Sequence, residues 1–214
     1  MSEIPPLQPS YTPEPSSPFD LNQWINIWKK ALTQPSAATF EELERHPLVT
    51  MQNSLIWNAI SGAIGGLLGG LVAAIFQNGS ILNIFTSAIF GALGALIGLL
   101  IYAIIVYAIC KAQGGTGTLQ SQVALLGTFV PPLILIALFL GQLPILGGVI
   151  SLVLSLYQMY LYIVATQAAQ NVTVGKAAIA VLLPGLVVLC CAVVFGFGLA
   201  AAILGSGISS GLIQ

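Results

Sequence analysis

Charge is scarce in this chain. Lys and Arg number 5 and Asp and Glu 6 among 214 residues, so 5% of the sequence is charged and 57% is hydrophobic. A soluble domain carries about 25% charged residues, and a chain with so few cannot keep its surface in water. An ordinary cytosolic enzyme is excluded on that ground. Basic patches are also missing. The net charge of -1 leaves nothing to neutralise phosphates, so no nucleic-acid partner is expected. Cysteine is rare, and Cys110, Cys190 and Cys191 lie in apolar stretches that make no disulfide framework. No His, Cys or carboxylate group has metal-ligand spacing, and no metal or cofactor is expected. The N-terminus shows no basic segment followed by an apolar run, so an internal span is expected to direct insertion.

What charge there is gathers at one end. Glu3, Glu14, Asp20, Glu41, Glu42 and Glu44 are all the acids, and Lys29, Lys30 and Arg45 lie near them. Beyond His46 only Lys111 and Lys176 remain. Glycine is abundant at 23 residues, which suits closely packed membrane helices. The fold class that follows is all-α: a polytopic membrane bundle of five transmembrane helices behind a short cytosolic N-terminal head. Residues 1–18 form a disordered Pro-rich tail, in which Pro6 and Pro9 have PxxP spacing. Residues 19–47 form the amphipathic head, 48–206 the five-span membrane domain and 207–214 a short extracytoplasmic tail.

In the head, Leu21, Trp24, Ile25, Trp28 and Leu32 share one helical face, with Asp20 as N-cap and Gln23 at the capping-box position. Two Trp one turn apart beside Lys29 and Lys30 suit a helix lying in the lipid headgroups, so Trp24 and Trp28 are the candidate interfacial anchor. The alternative is that this face packs on the protein itself. Pro35 breaks the chain, Ser36 caps a short second helix with Phe40 and Leu43 as its apolar contacts, and Pro47 ends it. Glu41, Glu42 and Glu44 read as a solvated face rather than paired catalytic acids.

Five apolar runs follow, each tested against the roughly 20 residues that cross a bilayer. They are 55–76, a run within 81–110, 123–141, 145–169 and 177–204. The second is too long for one crossing, so Ile81 to Ser87 are expected to form an interfacial entry and Ala88 to Ile109 the span. Pro131 and Pro132 should kink the third run, and Pro184 the fifth. With five spans every Lys and Arg lies on one side of the membrane. The positive-inside rule then puts the N-terminus in the cytoplasm and the C-terminus outside.

No Asp, Glu, Lys, Arg or His falls within a span so drawn. That argues against a proton-coupled transporter and leaves no general acid or base, so no enzyme is expected. Gly62, Gly66 and Gly70 in the first run, and Gly91, Gly94 and Gly98 in the second, repeat every three or four residues. They suit packing within the bundle or pairing of two copies as a homo-oligomer. Ser151, Ser155, Gln158, Tyr162 and Thr166 make one polar stripe on the fourth run. It is expected to face protein or a hydrated cavity, as interhelical hydrogen bonds or a ligand groove. The Gly114-Gly115-Thr116-Gly117-Thr118 loop lacks the ending of a phosphate loop.

These pieces resemble the Yip family of five-span membrane proteins, named for interacting with Ypt/Rab GTPases. The resemblance rests on Trp24, Trp28, Pro35 and Phe40 in the head and on the Gly-rich loop 114–118. It extends to GTFVPP at 127–132 and to Gly175-Lys176-Ala177 before the last span. Thr128 stands where the family often has Tyr. The resemblance covers roughly residues 24–204, and the short head and loops look bacterial, which implies a bacterial plasma membrane. It implies a non-enzymatic membrane adaptor or organiser that recruits a membrane or cytosolic protein partner. The candidate partner surface is Gly114, Gly115, Gly117, Gly175 and Lys176, with the Gly-rich loop folded against the Gly175–Ala177 turn. A small-solute or lipid transporter and an accessory subunit of a membrane complex are the alternatives.

Overall fold

The computed structural model describes residues 20–76, 80–140 and 146–187. Every described element is a helix. Helix α1 is Leu21–Thr33 and α2 is Ala37–Glu44. Both starts follow from side-chain capping. Asp20 accepts from the backbone of Asn22 and Gln23, and Ser36 accepts from Thr39. Gln23 bonds the Asp20 carboxylate at 2.9 Å through its side chain, so the reciprocal half of a capping box is not made.

Helix α3 is Met51–Phe76 and α4 is Ile81–Ala112. Their close approach explains the glycine repeat. A Cβ at Gly62 would fall on Gly91 and Ala95, one at Gly66 on Ser87, and one at Gly70 on Ile84. Gly94 and Gly98, expected on the same packing face, instead meet open space. The expected interfacial entry, 81–87, and the expected span, 88–109, are continuous with each other. Ile81–Ala112 is one helix of 32 residues, about 48 Å long. Thr86 does not interrupt it because its hydroxyl bonds back to the carbonyls of Leu82 and Asn83 at 3.1 Å.

The third run divides into α5, Leu119–Leu126, and α6, Val130–Leu140. The prolines do not make this break. It falls at Gly127–Phe129, while Pro131 and Pro132 sit in the first turn of α6, where a missing N–H removes no helical bond. Leu119–Leu140 is the most buried of the four segments long and apolar enough to span. The others are Met51–Ile75, Ile81–Ala112 and the segment of α7, Leu146–Gln170. A shorter apolar helix, α8, covers Val174–Val187. The upper part of the fifth run, the Cys190-Cys191 pair, the tail 207–214 and the Pro-rich tail 1–18 lie outside the described residues.

The molecule has two unlike halves. At the far end, Phe85, Ile89 and Phe90 of α4 and Val149, Leu152 and Val153 of α7 are exposed, as lipid-facing side chains are. At the head end Trp24, Phe40, Leu125, Leu126, Phe129 and Leu161 form a sealed core drawn from α1, α2, α5, the α5–α6 turn and α7. A second cluster joins Ala177, Ala180 and Val181 of α8 to Val106 and Cys110 of α4. The chain is a multi-pass membrane protein with its described charges gathered at the head end.

Candidate functional site

The head helices are fastened to the body by aromatic rings. Trp24 is fully buried, with its ring 5.7 Å from Trp57 of α3 and 6.1 Å from Trp28. Trp28 meets Trp57 edge-on at 4.9 Å. The expected anchor in the headgroups is therefore corrected: the indole face of α1 turns inward onto the protein. Trp57 supplies a partner large enough to cover both indoles, which bury more apolar area there than at an interface. The buried face is also rotated from the expected one. Ile27 and Ala31 join Trp24 inside, while Leu21 and Ile25 are exposed.

Further along, Phe40 packs edge-on against Phe129 at 5.9 Å. The Tyr157 hydroxyl donates to the Leu32 carbonyl, and that of Tyr160 to Pro35 at 3.1 Å. Lys30 and Glu42 pair at 2.5 Å between α1 and α2, and Ser121 donates to Glu44. Glu41, Glu42 and Glu44 are exposed.

The Gly-rich loop meets the head-end terminus of α7. Helix α4 ends in a Schellman motif. Gly114, at φ +88°, donates to Lys111 at 3.0 Å, and Gly115 donates to Cys110 at 2.8 Å. Helix α7 ends the same way around Asn171, at φ 52°. Asn171 donates to Ala168 at 3.4 Å and Val172 to Gln167 at 3.3 Å. The two ends then bond to each other, because Thr116 and Gly117 donate to the Gln170 carbonyl at 3.0 and 3.4 Å. A Cβ at Gly117 would fall on the Ala169 backbone.

Lys176 completes the junction by donating to the Gln113 carbonyl at 2.6 Å. A cation there also faces the negative end of the α4 dipole. Gly114, Gly115, Gly117 and Lys176 are thus brought together. Gly175 is adjacent but has no steric role, since a Cβ there meets open space. Gly175, Lys176 and Ala177 form the first turn of α8 rather than a loop. Lys111 stays exposed, its ammonium 5.5 Å from the Tyr107 ring centre.

The polar stripe of α7 splits along its length. Ser155 donates to the Ser151 carbonyl at 2.7 Å and is exposed, so this part does not face protein as expected. A serine can satisfy its hydroxyl within its own helix and needs no partner across the bundle. Gln158 donates to the Tyr162 hydroxyl at 3.3 Å, and Thr166 accepts from Gln122 of α5 at 2.9 Å. Gln170 extends this buried network to Gln122 at 3.3 Å and to the Thr118 carbonyl at 3.1 Å.

Gln122 and Gln170 lie just outside the apolar runs 123–141 and 145–169, and Asn58 lies inside the first run, where none of them was expected to matter. All three are buried. The available signal was a lone amide at the edge of an apolar run, where lipid would leave it unpaired.

Among the described residues, no group of His, Cys, Asp and Glu could hold a metal ion. No curated protein and no solved structure matches the chain. The model of one family, described as Yip1 domain, matches residues 29–196, from within α1 to beyond the described end of α8. The match covers well over half of the sequence and makes this chain a member of the Yip1 domain family.

Proposed function

We propose that this protein is a non-enzymatic integral membrane adaptor whose head end is a cytoplasmic docking face. Membership of the Yip1 domain family supports a role in membrane trafficking or membrane organisation. One observation carries the adaptor reading: α1 and α2 are bolted into the body through Trp24, Trp57, Phe40 and Phe129, so the charged residues around them form a fixed surface rather than a loose tail. A fixed polar face offers a partner preorganised contacts and lowers the ordering cost of binding.

In this reading the head, the loop at Lys111 and the turn at Lys176 face the cytoplasm. Residues 177–204 complete a fifth span, and the C-terminus lies outside, in a bacterial plasma membrane. A second reading, solute or lipid handling, is favoured by a groove that reaches Gln158.

Photoreactive residues placed at Glu41 and Gln120 test the adaptor in native membranes, with one at lipid-facing Ile89 as control. The expected result is one discrete protein adduct shared by the first two positions and absent from the third. Its loss in Trp24→Ser would tie docking to the fastened head. Lipid adducts alone, together with solute flux in proteoliposomes, would replace the adaptor with the second reading.

A further inference from the structure

A groove of about 290 Å³ opens between α3, α4, α6 and α7, where the lipid-facing half of the molecule meets the sealed half. Its polar lining comes from Asn58, Tyr102, Gln158 and Tyr162, and the floor on α4 includes Gly94 and Gly98. Asn58 is 1% exposed and donates to the Ser54 carbonyl at 2.8 Å, yet its Oδ1 accepts from no group among the described residues. A buried carbonyl oxygen without a donor is costly wherever water is excluded.

The glycines are independent evidence of space. Helix packing accounts for Gly62, Gly66 and Gly91, but a Cβ at Gly94 or Gly98 would meet nothing within 4 Å. Their missing side chains create volume in the groove that Asn58 also lines. The remaining walls are apolar, including Leu99, Val130 and Ile134, and no charged side chain lines the groove. The site therefore calls for an apolar body with one neutral hydrogen-bond donor. A phosphodiester headgroup finds no cation here, whereas a hydroxyl finds Asn58.

We propose that this groove binds a neutral lipid alcohol of the diacylglycerol type. A turn of the Asn58 amide toward the groove lets its Oδ1 accept from the hydroxyl, with Gln158 as the neighbouring polar group. The acyl chains leave over Gly94 and Gly98 toward the exposed apolar flank of α4. The level suits such a lipid. Exposed apolar side chains on α4 continue to Ile105, and Asn58 lies seven residues, about 10 Å, from the head-end start of α3. A small-headed lipid places its hydroxyl just below the phosphate level of that leaflet.

The test uses the full chain in phosphatidylcholine nanodiscs containing diacylglycerol with a photoreactive acyl chain. Labelling is expected on α4 and α7 peptides, and a tenfold excess of unlabelled diacylglycerol should reduce it at least fivefold. The O-acetylated analogue, which has the same chains and no hydroxyl, should compete at least fivefold more weakly. Gly98→Leu, whose Cβ meets no neighbour, extends into the groove and should lower labelling at least fivefold. Gly65→Leu, which also meets open space but lies outside the groove, should not. Asn58→Leu should erase the preference for diacylglycerol over its acetyl ester.

Equal competition by the two analogues would reduce the groove to an ordinary lipid contact and overturn the proposal. So would labelling of the native chain no greater than that of Gly98→Leu, whether water alone meets Asn58 or residues 188–204 lie over the groove.

Discussion

Ser54 and Gly127 share one space. The Ser54 side chain fills the volume that a Cβ at Gly127 would occupy, and its hydroxyl donates to the Ala124 carbonyl at 2.7 Å, near the end of α5. This contact, 70 residues apart in sequence, locks α3 to the break between α5 and α6. Gly127 itself has φ -65°, an ordinary helical value, so a substitution there is opposed by crowding and not by backbone strain. Gly127→Ala should destabilise the protein by about 1–3 kcal/mol through overpacking. Ser54→Gly in the same chain should recover part of the loss, because the side chain is only the nearest obstacle. Thermal midpoints in detergent measure both, and equal midpoints for Gly127→Ala and the native chain would reject the shared volume.

The indole cluster yields a second expectation. Trp24→Ala removes a buried ring and should cost about 3–5 kcal/mol locally. The head should then detach from α3 while α3 to α7 remain inserted. Limited proteolysis reads this at the α1–α2 connection, Gln34–Ser36, which should be cut at least tenfold faster than in the native chain. Unchanged protection would mean that Trp28 and Phe40 hold the head without Trp24.

Gly117 and Gly175 should respond in opposite directions. Gly117→Ala pushes a methyl group into the Ala169 backbone and should separate the ends of α4 and α7, lowering the thermal midpoint. Gly175→Ala meets open space in the first turn of α8 and should be neutral or stabilising by about 0.5–1 kcal/mol, since alanine loses less freedom on folding. A similar loss from both would show that neither position reports the junction.

Sidedness provides a fourth check. In a cysteine-free background, single cysteines at Gln34, Gln113 and Asn171 should react with an impermeant thiol reagent from one side of sealed vesicles. One at Ser80, at the far start of α4, should react only from the other. Labelling of Gln113 from the same side as Ser80 would contradict the bundle, because the Gln113 carbonyl is bonded to Lys176 and the Gly-rich loop is bonded to Gln170.

Local chemistry made part of this fold legible in the sequence. Asp20 and Ser36 announce α1 and α2 because a cap acts within three residues, and the apolar runs announce spans because lipid demands continuous length. The interior of the bundle was less legible. Whether Trp24 faces lipid or protein depended on Trp57, 33 residues away in the first apolar run, which no local pattern links to the head. The break at Gly127 depended on Ser54, and the double proline drew attention to the wrong turn. The candidate surface was legible in part. Glycine spacing identified Gly114, Gly115 and Gly117, but their first task is to finish one helix and bond the end of another.

The fastening of the head also sets an order of events during synthesis. Tyr157 and Tyr160 bond Leu32 and Pro35 across 125 residues of chain. A ribosome must complete most of α7 before those bonds can form. Trp57 is made far earlier, so the indoles of α1 can find their cover while the Leu32 and Pro35 carbonyls still lack theirs. The head is thus fastened in two stages, first by rings from α3 and last by hydroxyls from α7.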